Sequence, residues 1–491
     1  MTTHQASPAS GTSPARPVPG PSRWDPRTWH ALLLRIEQFE WAFERYGDIA
    51  GVWTPNFGPL VMLRDADMIT GALAAEPGLA SFNARPNAIL WGPRSLFGQE
   101  GAEHQRLRTL LLPGLGHKAV GRYRADIAAL AEQMVDSFPP AGTPFPLLAH
   151  VQRPVLYATL RHLFGLDDRA MRAWLPPIRA LLRAGMSQRT AVRFALRRAG
   201  AMRVWPAFHQ ARAACGALVQ QEIDRRRQCG DLGDDILGVL MKARTPQGAR
   251  LTDPALIDQS ITLMAAGHVT NSLAIAWSVE RVIRHPQVLE RLADEATAAD
   301  SDAYATAVAS EAMRQRPPAV AAPLGVTRQP LTLGGYRVET GTGILVAIRS
   351  LHHNPRYFPD PHLFQPERFL DDRPARNTWM PFGVGPRLCI GRHLAMLQAT
   401  TFLQVMARRV VLRPVETREE PLHRIVINNH PAHGCMVTTE PRTTARRPPH
   451  QPPPRPGRRG PAADTCPAAS SDGPAAAPPE SAPEGSCGLE P

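Results

Sequence analysis

Apolar residues recur at helical spacing over most of this chain and run continuously in only a few short stretches. Residues 33–46 carry apolar side chains three and four apart, the mark of one buried helix face. Residues 102–138 and 153–228 are dominated by Ala, Leu, Arg and Gln, which favour helix. Residues 49–54 and 60–63 read as two strands joined by the turn Pro55-Asn56-Phe57-Gly58, and residues 331–348 as short strands around Gly334-Gly335. Thr252-Asp253-Pro254 opens the longest run: a capping side chain, then proline in the first turn. The run continues to about Arg284, where His285-Pro286 stops it. At ~1.5 Å per residue it spans about 45 Å, the width of a domain, so it must cross the core. The pattern predicts a mainly α fold with small β-sheets (α+β) around a long central helix.

Composition refines the organisation. Of 491 residues, 43% are hydrophobic, enough for one large domain over residues 24–440. Residues 1–23 are rich in Pro, Ser, Thr and Ala, and 441–491 in Pro, Ala, Ser, Gly and Arg; such segments bury too little to order, so a disordered leader and tail are expected. The leader lacks the basic-then-apolar order of a signal peptide, and no apolar run approaches the ~18 residues of a membrane span. A cytoplasmic protein is the expectation. Six cysteines at 215, 229, 389, 435, 466 and 487 form no paired spacing, which fits a reducing compartment. The net charge of +13 is carried mainly by arginine. It suits an acidic partner or anionic surface, or reflects coding bias alone. Dispersed arginines without a recognised binding motif argue against nucleic acid.

The candidate chemistry centres on Cys389, in Phe382-Gly383-Val384-Gly385-Pro386-Arg387-Leu388-Cys389-Ile390-Gly391 ahead of an apolar helical run. A helix N-terminus and a nearby arginine favour thiolate over thiol. Gly383, Gly385 and Gly391 let the loop fold tightly, and Phe382 offers a flat apolar surface. These features suit a thiolate bound axially to haem iron. Two plainer readings compete: a small buried cysteine, or zinc shared with His393, for which no second ligand pair stands nearby. In the long helix, Ala265-Ala266-Gly267 removes bulk from one face. Glycine there costs about 1 kcal/mol against alanine, which a flat ligand or a close-packed neighbouring helix would offset. Thr270 is placed to bond the carbonyl of Ala266, four residues back.

The cysteine loop resembles the haem-binding signature of the cytochrome P-450 family. Glu311-Ala312-Met313-Arg314 resembles that family's glutamate-x-x-arginine helix, and Phe358-Pro359-Asp360-Pro361 with Pro366-Glu367-Arg368-Phe369 its meander. Ala266-Gly267-His268-Val269-Thr270 resembles its oxygen-binding helix. The four segments stand in the family's order, within a resemblance covering about residues 25–440. The resemblance implies haem b with Cys389 as axial ligand, and Phe382, Gly383, Gly391, Ala266 and Gly267 against the macrocycle. It implies His104, Arg108 and Arg387 on the haem propionates; Gly325 stands in the place of a further arginine, with Arg328 three residues later as the candidate substitute. Glu311, Arg314 and Arg368 would form a structural ion cluster. Thr270 would assist proton delivery; Val269 replaces the family's usual acid and cannot relay a proton, which leaves His268, able to titrate near neutrality, and Asn271 as neighbouring polar candidates. Leu90, Trp91, Phe97, Leu263, Met264, Ala319 and Ile427 would line an apolar pocket, which selects a lipophilic small molecule.

What the resemblance implies is a monooxygenase that uses O2 and electrons from a separate ferredoxin or flavodoxin-type donor; Arg106, Arg387, Arg392, Arg408 and Arg409 are candidates for a basic docking face. Val269 keeps open a haem-thiolate enzyme of other chemistry (peroxide-driven, rearranging or coupling). A non-catalytic haem-binding sensor or carrier is the third reading.

Overall fold

The computed structural model describes residues 15–441, apart from 28–39, 55–56, 76–77, 81–83, 188, 191–192, 194–204, 246–247, 299–300, 371–373 and 426. The expected tail from residue 442 lies outside the described residues, as do the first part of the 33–46 helix and the Pro55-Asn56 half of the turn.

The long helix runs Asp253–Val282. Pro254 stands in its first turn and Thr252 is extended at the N-cap, but the threonine side chain makes no capping bond. Instead Asp253 accepts both Nη1 (2.7 Å) and Nη2 (2.5 Å) of Arg227, and a carboxylate in the first turn complements the helix dipole. From Asn271 to Val282 every residue is buried. Its buried charges are paired, Arg281 with Glu280 at 2.6 Å, and the helix is flanked by the helices Leu147–Phe164, Pro206–Cys229, Ala303–Gln315 and Arg392–Arg409. It separates two apolar cores. Leu273, Trp277, Val308, Met313, Phe402 and Leu403 belong to one; Leu107, Leu160, Phe164, Ile178, Phe208 and Met264 belong to the other.

Strands collect in small sheets. The largest has the order Ile49–Thr54, Gly58–Leu63, Gly343–Ala347, Ala321–Thr327, Leu79–Ala80, antiparallel except for the second pairing. Successive side chains alternate faces. Val61, Leu63, Ile344 and Val346 enter one cluster, while Leu60, Met62, Leu345 and Ala347 enter another. Both faces are covered, which is why these strands read as continuous apolar runs.

The disordered-leader expectation is corrected in part. Arg16–Pro17 is a strand paired in parallel with Tyr336 and Arg337, and Arg16 lies over the Tyr336 ring at 5.0 Å. Gly51 donates to the Pro19 carbonyl at 2.8 Å. The Tyr336–Val338 strand leaves an edge open to pairing, and a proline-rich segment is tolerated at a sheet edge.

Candidate active site

Within the long helix, only Leu263, Ala266, Gly267 and Thr270 keep accessible surface between Ile261 and Asn271. Their spacing of three, one and three places them on one helical face, so a helix enclosed on every side borders open space along that stripe. Thr270 donates Oγ1–H to the Ala266 carbonyl at 2.8 Å, which leaves its oxygen lone pairs facing outward as acceptors. The other polar candidates point elsewhere. His268 is buried, its Nδ1 has no hydrogen-bond partner, and burial, reinforced by Arg179, pushes its pKa down to about 4. The expectation that it titrates near neutrality is therefore corrected. Asn271 donates Nδ2–H to Gln398 Oε1 at 2.7 Å and is buried against the Arg392–Arg409 helix. Val269 packs in the apolar core, so an acid at that position would face hydrocarbon, not the stripe.

The Cys389 loop is closed by the Cys389 amide donating to the Phe382 carbonyl at 2.9 Å. Gly383 and Gly385 hold φ of +73° and +66°, the left-handed region that glycine enters without strain. Gly391 caps the Arg392–Arg409 helix. Phe382 sits edge-on to Trp379, centroids 6.1 Å apart. Cys389 presents accessible surface, yet burial is what moves its thiol: desolvation pushes the pKa up against the pull of the Gly391 amide, Arg108 and Arg392. Both hold for a sulfur bordering an internal recess. The helix end and arginines expected to favour thiolate are present, and desolvation outweighs them. A coordinated metal ion reverses that balance, because a coordinating thiol gives up its proton outright.

His104 and Arg108 lie on one face of the Gly101–Leu115 helix. His104 is buried, and burial with the nearby charges of Arg387 and Arg108 pushes its pKa down to about 4; it is a neutral donor at pH 7. Arg387 donates to the Leu96 carbonyl (3.3 Å) and the Gln99 carbonyl (2.7 Å). Arg328 has a side chain 62% exposed and 4.0 Å from Glu100, the residue that caps the helix bearing His104 and Arg108. Gly325 cannot carry an arginine, since a Cβ there would lie 2.6 Å from Leu79 Cβ. A recess that desolvates the sulfur, a small-residue stripe and donors suited to carboxylates together fit haem b.

Beneath the loop, Glu311 and Arg314 are wholly buried and doubly bonded, Nε and Nη2 each at 2.7 Å from a carboxylate oxygen. Arg314 also donates to the His352 carbonyl at 2.8 Å, and the Gln365 amide donates to Glu311 at 3.0 Å. Arg368 stands further off, its Nε 3.7 Å from Glu311. The sequence reading missed His352. Its Nδ1 lies 3.2 Å from the Arg314 carbonyl, and its Nε2 accepts the Met380 amide at 2.8 Å. That neutral ring links the ion cluster to the residue two positions before Phe382. Only the His-His pair after a strand hinted at it.

On the substrate side, Leu263 lies on the stripe, but Met264 is buried in the neighbouring apolar core and faces away from it. Leu90 and Trp91 are buried in the same core. Phe97 and Ile427 are 38% and 56% exposed, and Ala319 bridges to Asn428. Of the expected docking arginines, Arg408 and Arg409 pair with Glu132, Arg409 also with Asp136, and Arg106 with Glu103. A surface cleft of about 470 Å³ lies among Arg124, Asp302, Gln404 and Arg408. Among the described residues no helix is long and apolar enough to cross a membrane.

Comparison with known proteins agrees with this geometry. Residues 19–436 match the family model described as Cytochrome P-450. The chain is 36% identical over 404 residues to a Mycobacterium tuberculosis protein that carries the name cytochrome P-450 137, covering 81% of this chain and 84% of that one. It is 31% identical over 426 residues to a Mycobacterium bovis protein named cytochrome P-450 135B1, covering 84% and 89%. A match over that length makes the chain a member of the cytochrome P-450 family: a haem b-binding oxidoreductase of the monooxygenase type.

Proposed function

We propose that this protein inserts one oxygen atom of O2 into a lipophilic small molecule in the cytoplasm, with electrons from a separate ferredoxin or flavodoxin-type donor. The observation that carries the proposal is the stripe of Leu263, Ala266, Gly267 and Thr270, the one accessible face in the middle of a buried helix. In a chain of this family it supplies an apolar wall with a single hydroxyl. Cys389 would hold the haem iron through its thiolate, and haem so held would supply the chemistry of O–O bond cleavage. Arg108 and His104 would hold the carboxylates, Arg108 as the charge and His104 as a neutral donor. Arg387, already bonded to two carbonyls, would hold the neighbouring backbone. Thr270 would keep a water or reacting oxygen at its Oγ1 by accepting a proton bond there, since its own hydrogen goes to Ala266. Leu263 would exclude bulk water. Buried His268 and Asn271 take no part in proton delivery on this reading.

The peroxide-driven alternative rested on Val269. Val269 lies in the apolar core, which favours the O2-dependent reading over the alternative. The test is the absorption spectrum of the dithionite-reduced protein with carbon monoxide, beside Cys389→Ser. The expected result is a strongly red-shifted Soret band that the variant loses. An unshifted, histidine-like band in the wild type would overturn Cys389 as ligand, and product from peroxide but never from O2 plus donor would overturn the monooxygenase reading.

A further inference from the structure

Residues 91–99 cross the long helix as a strap tied down at both edges. The Arg94 amide donates to Asp258 Oδ2 at 3.0 Å. The Leu96 amide donates to Gln259 Oε1 at 3.0 Å, and Gln259 Nε2 donates back to the Arg94 carbonyl at 2.7 Å. Gln259 thus gives the strap the donor–acceptor pair that a neighbouring strand would give. Gly92 has φ +101°, and a Cβ there would lie 2.0 Å from Asp258 Cγ: the carboxylate fills the space that only glycine leaves. On its other oxygen, Asp258 Oδ1 takes Arg212 Nη2 at 2.5 Å, from the Pro206–Cys229 helix.

Asp258 is therefore the joint of three elements. The pair it makes differs from Glu311–Arg314, both of which are sealed. Asp258 has a side-chain exposure of 7%, but Arg212 keeps 25%. Arg212 Nε is buried without a partner, but the side chain as a whole keeps a quarter of its surface, so its charge rehydrates in part when the pair parts and only Asp258 is left sealed. The strap's remaining ties to this helix are single neutral hydrogen bonds, each worth about 1 kcal/mol net.

We infer that Asp258 and Arg212 form a latch that holds the strap against the long helix and sets the rate at which lipophilic molecules are admitted. Both are positioning residues and touch no reacting atom. That the strap borders the substrate rests on the proposed function; the latch rests on the bonds alone.

Hydrogen exchange on the full-length protein tests the latch without any ligand. Arg212→Gln and Asp258→Asn are expected to speed exchange of the amides of residues 92–99 by roughly tenfold or more. Arg212→Lys is expected to stay near wild type, and the Ala303–Gln315 helix to stay unchanged in all three. Unchanged strap exchange, or a rise spread equally over the chain, overturns the latch. If Asp258→Asn does not fold, Arg212→Gln at the wetter end decides. The haem-loaded protein is then mixed with 4-phenylimidazole and followed by absorbance. Association and dissociation rates rising together in Arg212→Gln, with little change in affinity, support control of admission; unchanged rates beside faster strap exchange overturn that part. Absence of bound haem would overturn the proposed function, while exchange still judges the latch.

Discussion

Thr270 and Cys389 show how much one side chain's direction decides. Thr270 is the only hydroxyl on the accessible stripe, and its hydrogen is committed to Ala266. Thr270→Ala is expected to lower product formed per electron pair consumed by about a hundredfold, at the low end of general acid–base losses, with substrate affinity little changed; consumption of electron donor against product measures it. His268→Ala is expected to leave that ratio alone, because the imidazole is buried and neutral. The Thr270–Ala266 bond was legible from spacing alone, and so was the phase that excludes its neighbours. Counting back three, four and seven from Thr270 gives 267, 266 and 263, which leaves out Met264, His268 and Asn271. Residue type drew attention to the latter two, and only helical phase shows that they face elsewhere. Asp258, Gln259 and Arg212 carried no such signal, since their partners lie between about 45 and 165 positions away in sequence.

At the scale of elements, the Ala303–Gln315 helix is joined to the cysteine loop by Glu311, Arg314 and His352. Glu311→Gln leaves a fully buried guanidinium without its counter-charge, a loss of about 3–5 kcal/mol, read as a lower denaturation midpoint together with weaker haem retention. The glutamate-arginine spacing of three was legible as a shared helix face. Its burial was not, because an exposed pair has the same spacing. His352 adds a pH dependence. Burial, aided by the Arg314 charge, pushes its pKa down to about 3, and Nε2 must stay unprotonated to accept the Met380 amide. The unfolded chain takes up that proton near pH 6.5 and the folded one only near pH 3, so stability is full above pH 6.5 and declines as pH falls from there towards 3. Urea titrations at pH 7, 5.5 and 4.5 should show a falling midpoint, and His352→Gln should flatten part of that slope.

Across the whole molecule, the +13 charge suggested a broad basic docking face, but the described surface narrows it. Arg408, Arg409 and Arg106 have acidic neighbours, whereas Arg392 is exposed beside His393. Arg408→Ala is expected to leave the half-saturating concentration of the electron donor within about twofold, as exposed paired charges contribute little. Arg392→Glu should raise it several-fold at low salt, with the difference fading at high ionic strength as screening grows. One tie reaches across these scales. Arg387, two positions before Cys389, bonds the strap at the carbonyls of Leu96 and Gln99. Lifting the strap strains the loop, and tightening the loop draws down the strap. Linked equilibria are reciprocal: whatever the filled loop adds to strap closure, a closed strap returns as affinity of the loop for its prosthetic group.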